Sequence, residues 1–279
     1  MYKIVAKQKL SPVIDYFRVA APEIARKAQP GQFVIIRIDE IGERIPLTLA
    51  DWDSKEGTIT LVAMQVGTST KKLGCLSQGD SILNLVGPLG LPSHLKNYGT
   101  VVCVGGGVGV APIYPIARGL KNAGNKVISI IGARNKELLF WEDKMRCVSD
   151  DLIVTTDDGS YARKGLVTEP LKEILEKDKS VGHVIAIGPA IMMKFCSMTT
   201  KPFNVPTTVS LNSIMVDGTG MCGCCRVSIA DGTKFVCVDG PEFNGHEVDW
   251  DILFNRQRTY CDEEKRSLNA WHECHCQKT

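Results

Sequence analysis

Val101-Val102-Cys103-Val104-Gly105-Gly106-Gly107-Val108-Gly109-Val110-Ala111-Pro112 is the stretch on which the fold turns. Its first four residues make a short apolar run of the kind buried in a parallel sheet, and Val110 to Ala123 reads as a helix. Between them, Gly105, Gly106, Gly107, Val108 and Gly109 put four glycines into five positions. Glycines at a strand-to-helix turn let the backbone approach a pyrophosphate, and the helix N-terminus adds N–H donors and partial positive charge. A tight turn alone needs fewer. The spacing is a variant of G-x-G-x-x-G, because Gly105 and Gly107 are followed by Val110.

The residues downstream repeat the alternation. Val127–Ile131, Leu152–Thr156 and His183–Ile187 are further strand-like runs, and Asn135 to Arg146 and Thr168 to Lys177 read as helices. Strands alternating with helices predict a parallel sheet covered on both faces. Ligands of such sheets bind beyond the C-terminal ends of the strands. Asp157, Asp158 and Gly159 follow the third strand and Gly188 and Pro189 the fourth, so both turns are candidates, though either could be an ordinary turn. Arg134, just past the second strand, could hold a 2′-phosphate or stack on adenine. No acidic residue clearly marks that strand end, and the choice between NAD and NADP stays open.

Before about Asn97 the texture differs. Gln32–Ile38 and Thr58–Met64 are short β-rich runs punctuated by Gly, Pro and Asp, which predicts an antiparallel barrel or sandwich with one helix, Thr68 to Leu76. Arg44-Ile45-Pro46-Leu47-Thr48 ends such a strand, and Gly67-Thr68-Ser69-Thr70 opens the helix. The first could offer backbone and hydroxyl groups to an isoalloxazine edge and the second N–H donors to a diphosphate; singly, each is also a plain edge strand and a plain N-cap.

The totals exclude several classes. The chain has 279 residues, 44% hydrophobic and 23% charged, with a net charge of +2, so bulk electrostatics suggest neither a nucleic-acid nor a membrane-surface partner. No apolar run approaches the roughly 20 residues that span a bilayer, and the N-terminus lacks a signal-peptide core, so a cytoplasmic protein is expected. Of 11 cysteines, Cys75, Cys103, Cys147 and Cys196 are scattered and read as inert buried residues. Cys222, Cys224, Cys225 and Cys237 fall within 16 residues, and Asp217 stands five before Cys222. D-x4-C-x2-C-x11-C, over Asp217, Cys222, Cys225 and Cys237, is the plant-type [2Fe–2S] pattern with an aspartate for its first cysteine. Gly218, Gly220 and Gly223 let the chain wrap a cluster. A zinc site from the same thiols is chemically reasonable, and then the chain would be a redox-silent dinucleotide sensor; the upstream segments favour one-electron chemistry. Cys224 is a bystander, since neighbours at 224 and 225 cannot point the same way. His272, Cys274, His275 and Cys276 read as a mobile tail more readily than as metal ligands.

The order of these parts resembles the ferredoxin–NADP reductase superfamily: barrel, Pro-x-Thr, Gly-x-x-Thr, Gly87-Pro88-Leu89-Gly90, then the glycine-rich loop of a parallel-sheet domain. Arg44 lies four positions before Thr48, where the superfamily's arginine precedes its hydroxyl by three. With the cysteine-rich segment added, the chain is similar to the electron-transfer subunits of dihydroorotate dehydrogenase. It is still more similar to the small subunits of NADH-dependent reduced ferredoxin:NADP oxidoreductases, also called sulfide dehydrogenase small subunits, whose aspartate Asp217 matches. The resemblance implies an antiparallel FAD-binding barrel at 1–97, a parallel-sheet NAD(P)-binding domain at 98–203, and a [2Fe–2S] segment and tail at 204–279. It implies FAD contacts at Pro46, Leu47, Thr48, Val62, Ala63, Met64, Ser69 and Thr70, and cluster ligation by Asp217, Cys222, Cys225 and Cys237. It further implies a heterodimer with a larger iron–sulfur flavoprotein, which deals with ferredoxin, and electron bifurcation between them.

Overall fold

β-branched and aromatic residues in alternation drive the first half of the chain into strands. The computed structural model describes residues 1–230 and 232–276, with side chains through Glu273. The first sheet contains β1 (Tyr2–Ser11), β2 (Ile14–Ala20), β3 (Phe33–Arg37), β4 (Arg44–Asp53), β5 (Thr58–Met64), β6 (Ser81–Ile82) and β7 (Asn84–Leu89). Their order is β6-β1-β2-β5-β4-β3-β7, with antiparallel neighbours. β6 and β7 are the two edges, yet only Leu83 separates them in sequence, and its N–H bonds to Ile38 O at 3.2 Å. The sheet must therefore curl almost into a closed barrel, which removes exposed edges. Phe17, Ile36, Leu49, Ile59 and Leu61 fill it, all fully buried. Its helices are the single turn α1 (Pro22–Ala25) and α2 (Thr68–Cys75).

The second sheet takes β8 (Thr100–Gly106), β9 (Lys126–Ala133), β10 (Asp151–Thr156), β11 (Arg163–Lys164), β12 (Val181–Ile187) and β13 (Thr207–Ser210), all parallel. β14 (Arg226–Ile229) and β15 (Gly232–Phe235) form a separate hairpin, and β16 (Glu242–Asn244) closes the second sheet antiparallel to β13. Strand order is β11-β10-β9-β8-β12-β13-β16, so the direction of winding reverses between β8 and β12. Helices α3 (Val110–Asn122) and α4 (Glu142–Val148) cover one face. α5 (Thr168–Lys177) and α6 (Ala190–Thr200) cover the other. The C-terminal helices are α7 (Val236–Asp239), α8 (Trp250–Gln257) and α9 (Cys261–Cys276).

Four expectations change here. The segment after residue 203 does not stand apart, because β13 and β16 extend the parallel sheet and Trp250 and Leu253 of α8 join its core. The tail is helical as far as Cys276 rather than loose, though the side chains of Cys274, His275 and Cys276 lie outside those described. Cys103 and Cys196 are buried as expected, but Cys75 and Cys147 are exposed, each on the outer side of a short helix. The helical stretch from Asn135 is also split, into a 3-10 turn at Lys136–Leu138 and α4. No helix among the described residues is long and apolar enough to cross a membrane.

Candidate functional site

β4 changes partners along its length. Arg44 to Thr48 pair with β3, while the β4–β5 ladder runs only from Asp53–Thr58 to Leu49–Leu61. The two strands part beyond Leu49 and Leu61, and the residues flanking that gap are Pro46, Leu47 and Thr48 on one side and Val62, Ala63 and Met64 on the other. An open ladder offers backbone donors and acceptors that a flat polar ring edge can satisfy. Val62 packs in the cluster it shares with α3, whereas Ala63 faces the barrel core, so contact at Ala63 is a matter of its backbone. Arg44 is exposed at the start of the strand.

β5 leads directly into α2. Gly67 is its N-cap, extended, with nothing within 4 Å of where a Cβ would sit. Thr70 Oγ1 accepts from Val66 N–H at 3.0 Å and Gly67 N–H at 3.1 Å and donates to Gly67 O at 3.0 Å. That hydroxyl is fully engaged, so Thr70 builds the turn and leaves the free N–H groups of the helix end to an anion. Ser69 Oγ bonds Glu43 Oε2 at 3.2 Å, and Thr68 Oγ1 lies 2.8 Å from Ser267 Oγ. Ser267 went unread in the sequence, because its partner Thr68 stands 199 positions away and such a pair leaves no local pattern.

The glycine loop lies at the reversal of the second sheet. Gly105 lies near the end of β8 beside Ile131 and Ile187, Gly107 to Gly109 form a 3-10 turn, and Gly188-Pro189 leaves the neighbouring β12. The four glycines do different work. A Cβ on Gly109 would lie 2.1 Å from Ile187 O and one on Gly105 3.1 Å from Val110 Cα, so these two serve packing. Gly106 and Gly188 are covered by Met192. Gly107 has φ +54° and nothing within 4 Å of a Cβ, so ligand approach concentrates there. Val108 is half-buried beside it. Asp157 N–H bonds Ala133 O at 3.1 Å and Asp158 N–H bonds Arg134 O at 3.2 Å, which brings both acids and Arg134 to one rim. Asp158 Oδ1 accepts from Ser160 N–H at 2.9 Å, and bonds from Ser160 hold its carboxyl below the usual range. Gly159 has φ +75°, so Asp158 and Gly159 shape their own turn.

Asp217, Cys222, Cys225 and Cys237 form two pairs. Cys222 Sγ is 3.4 Å from Asp217 Oδ1, and Cys225 Sγ is 3.1 Å from Cys237 Sγ. Gly218, Gly220 and Gly223 have φ of +74°, +86° and +65°, and they bend the chain around the first pair. Cys225 and Cys237 are each 1% exposed. Burial, with Cys225 beside it, pushes the Cys237 thiol up to about 12, so binding a metal there must expel a proton. Cys222 is held below the ordinary thiol value, first by the Cys224 N–H. Cys224 is partly exposed; its N–H bonds Cys222 Sγ at 3.5 Å and its carbonyl accepts from Arg256 Nη2 at 2.9 Å.

Asp217 already receives hydrogen bonds. Oδ2 accepts from Met221 N–H and Cys222 N–H, both at 3.0 Å, and Oδ1 accepts from Thr219 N–H at 3.1 Å and from the Cys222 thiol. The Thr219 bond is foremost in holding the carboxyl below its usual range. Once Cys222 surrenders its proton, the Oδ1 lone pair that held it is free beside that sulfur. Two pairs of donors, each able to take one iron, suit a dinuclear cluster. Among the described residues no three or more His, Cys, Asp or Glu side chains converge as a single-ion site.

The three sites adjoin. β5 packs against the Gly107–Gly109 turn. A Cβ on Gly218 would lie 2.8 Å from Ile35 Cγ1, and Ile35 is the ladder partner of Pro46.

Residues 103–198 match the oxidoreductase NAD-binding domain, and residues 212–249 match the iron–sulfur cluster binding domain of dihydroorotate dehydrogenase B. A dihydroorotate dehydrogenase B (NAD(+)) electron transfer subunit homolog of Thermotoga maritima is 49% identical, over 96% of this chain and 95% of that protein. A chain of the NADH-dependent reduced ferredoxin-NADP oxidoreductase structure, solved for insights into flavin-based electron bifurcation, superposes with a TM-score of 0.92. It is 48% identical, over 97% of this chain and 98% of that chain. A ferredoxin NADP+ reductase of Neisseria gonorrhoeae with bound FAD and NADP shares the fold at a TM-score of 0.61 and 19% identity, over 73% of this chain and 90% of that one.

Proposed function

The chain belongs to the family of dihydroorotate dehydrogenase B electron-transfer subunits and their homologues, and on that premise we propose that it is the small electron-transfer subunit of an electron-bifurcating NADH-dependent reduced ferredoxin:NADP oxidoreductase. Bound FAD, NAD(H) and a [2Fe–2S] cluster supply hydride exchange at the nucleotide end of such a subunit and single-electron transfer at the other. One observation carries the reading: the parted strands β4 and β5 lie between the Gly107–Gly109 turn and the Gly218 loop. Electron transfer needs little beyond proximity and orientation, and no acid–base group is required.

Each part of the chain has a task. Pro46, Leu47 and Thr48 face Val62, Ala63 and Met64 across the flavin gap, and the N-terminus of α2 takes the diphosphate. The loop Gly105 to Gly109 takes the nucleotide pyrophosphate at Gly107, with Gly188 and Pro189 beside it and the other glycines packing the loop in place, and Arg134 and Asp157 stand at the adenosine end. Asp217 and Cys222 serve one iron, and Cys225 and Cys237 the other. Residues 1–97, 98–203 and 204–279 are the corresponding functional divisions. Around Cys222 stand Met221, 87% exposed, and Val216 and Val238, 43% and 39% exposed. An apolar rim at an exposed ligand suits docking of a larger iron–sulfur flavoprotein, through which ferredoxin is reached. A cytoplasmic setting keeps the thiols reduced for that ligation.

An anaerobic absorption spectrum before and after NADH tests the reading. Flavin bleaching together with loss of cluster absorbance is expected, and colourless protein, or bound flavin that NADH does not reduce, overturns it. A second reading, service to a dihydroorotate dehydrogenase, is favoured by the match of residues 212–249 to that enzyme's cluster domain. Affinity purification from the native host decides between them: a co-purifying subunit that oxidises dihydroorotate supports the second.

A further inference from the structure

Helix α9 is long for the little it buries. Of its described side chains, Cys261, Leu268 and Trp271 are half-buried, while Asp262 to Ser267, Asn269 and Ala270 are exposed. Spacings of seven and three put the half-buried residues on one narrow seam. Such a seam gives a helix of four turns modest packing.

Where that helix lands is more informative. It packs against α2, and Ser267 Oγ lies 2.8 Å from Thr68 Oγ1. Thr68 is the first residue of α2, directly after Gly67 with its empty surroundings. The helix reaches this spot from the second sheet. α8 is anchored by Trp250 and Leu253 in the second core and by the Arg256 bond to Cys224 O, and only residues 258–260 separate it from α9.

The residue of α9 that touches α2 is uncharged, although the turn before it is acidic. Lys265 pairs with Asp262 and Arg266 with Glu263 on the exposed side. Asp262-Glu263-Glu264-Lys265-Arg266 then gives way to an uncharged hydroxyl at the position beside Thr68. A carboxylate there would face a bound diphosphate and repel it.

We propose that α9 is the outer wall of the flavin diphosphate site, a helical clamp over the N-terminus of α2 that slows the loss of FAD. The inference rests on the flavin reading and deepens it. A ligand behind a closed element leaves only while that element is open, so weakening the seam raises the off-rate in proportion to the open fraction.

The test uses the full-length FAD-loaded protein and follows the recovery of free-flavin fluorescence after dilution. Leu268→Asp, which breaks the seam, and Ser267→Glu, which aims a carboxylate at the diphosphate, should each release FAD about tenfold faster or more. The Ser267→Glu effect should shrink in high salt, and Ser267→Thr should release FAD at the wild-type rate. Apoprotein melting temperature, iron and acid-labile sulfide should stay at wild-type values throughout. Unchanged off-rates in both disruptive variants overturn the clamp. So does a Leu268→Asp apoprotein that melts early while Ser267→Glu keeps its FAD, since that pattern marks a merely structural helix. Wild-type protein that takes up no FAD overturns the flavin reading itself, a result distinct from slow release unaffected by either variant.

Discussion

Neighbouring cysteines at 224 and 225 have opposite fates. Cys225 turns inward to Cys237, whereas Cys224 is partly exposed, with its carbonyl tied to Arg256. Cys225→Ser should therefore abolish iron and acid-labile sulfide, while Cys224→Ser should retain both in full, as measured on anaerobically purified protein. Spacing alone nominated this set, because ligand geometry is a local pattern. It could not reveal that Thr70 is consumed by its own turn or that Glu242 is half-buried against Ser93. Glu242 bonds Ser93, and burial raises its carboxyl to about 7, the Ser93 bond only partly opposing this. A folded value above the unfolded one means the native state holds the extra proton, so stability falls as pH rises from about 4.5 to 7. Glu242→Gln should add up to about 2 kcal/mol of stability at pH 8, seen as a higher melting temperature, with the gain vanishing near pH 4.5; a gain that persists unchanged in acid would contradict this origin.

Elements divide the labour more sharply than single residues do. The loop after β8 looks uniformly glycine-rich in sequence, yet Gly109 abuts Ile187 O and Gly107 opens to solvent. Gly109→Ala should cost on the order of 2–4 kcal/mol, because backbone must shift to admit a methyl group. Gly107→Ala should cost only about 1 kcal/mol for its left-handed backbone but weaken nucleotide binding about tenfold or more, seen by titration. Strands and helices of both sheets were largely legible, since apolar periodicity governs them: α5 at Thr168–Lys177 and β5 at Thr58–Met64 fall where the sequence put them. β13 and β16 were not, because four and three residues carry almost no periodicity, and only pairing with distant strands makes them strands.

On the scale of the molecule, the barrel and the second sheet meet through α3. Arg118 Nη2 bonds Asp51 Oδ1 at 2.9 Å, and its guanidinium lies over the rings of Trp52 and Tyr114, with centroids at 5.8 and 5.1 Å. This ion pair is partly exposed and is worth about 1 kcal/mol or less. Its larger consequence is orientation, since it fixes how the glycine loop addresses β5. Arg118→Ala should lower stability slightly and leave FAD and nucleotide affinities near wild type. NADH reduction of the flavin should slow severalfold in rapid-mixing experiments, and an unaltered rate would show that other contacts suffice to align the two halves.

β12 lies between β8 and β13, and β13 in turn carries β16. A protein cut after residue 203 would leave β12 as a bare rim of unpaired amides and carbonyls, ready to recruit a neighbour's strand. Evolution or engineering could not simply delete the iron-binding end to obtain a free-standing reductase. The two have become one foldable unit, and gaining or losing that end would require a replacement strand at the same time.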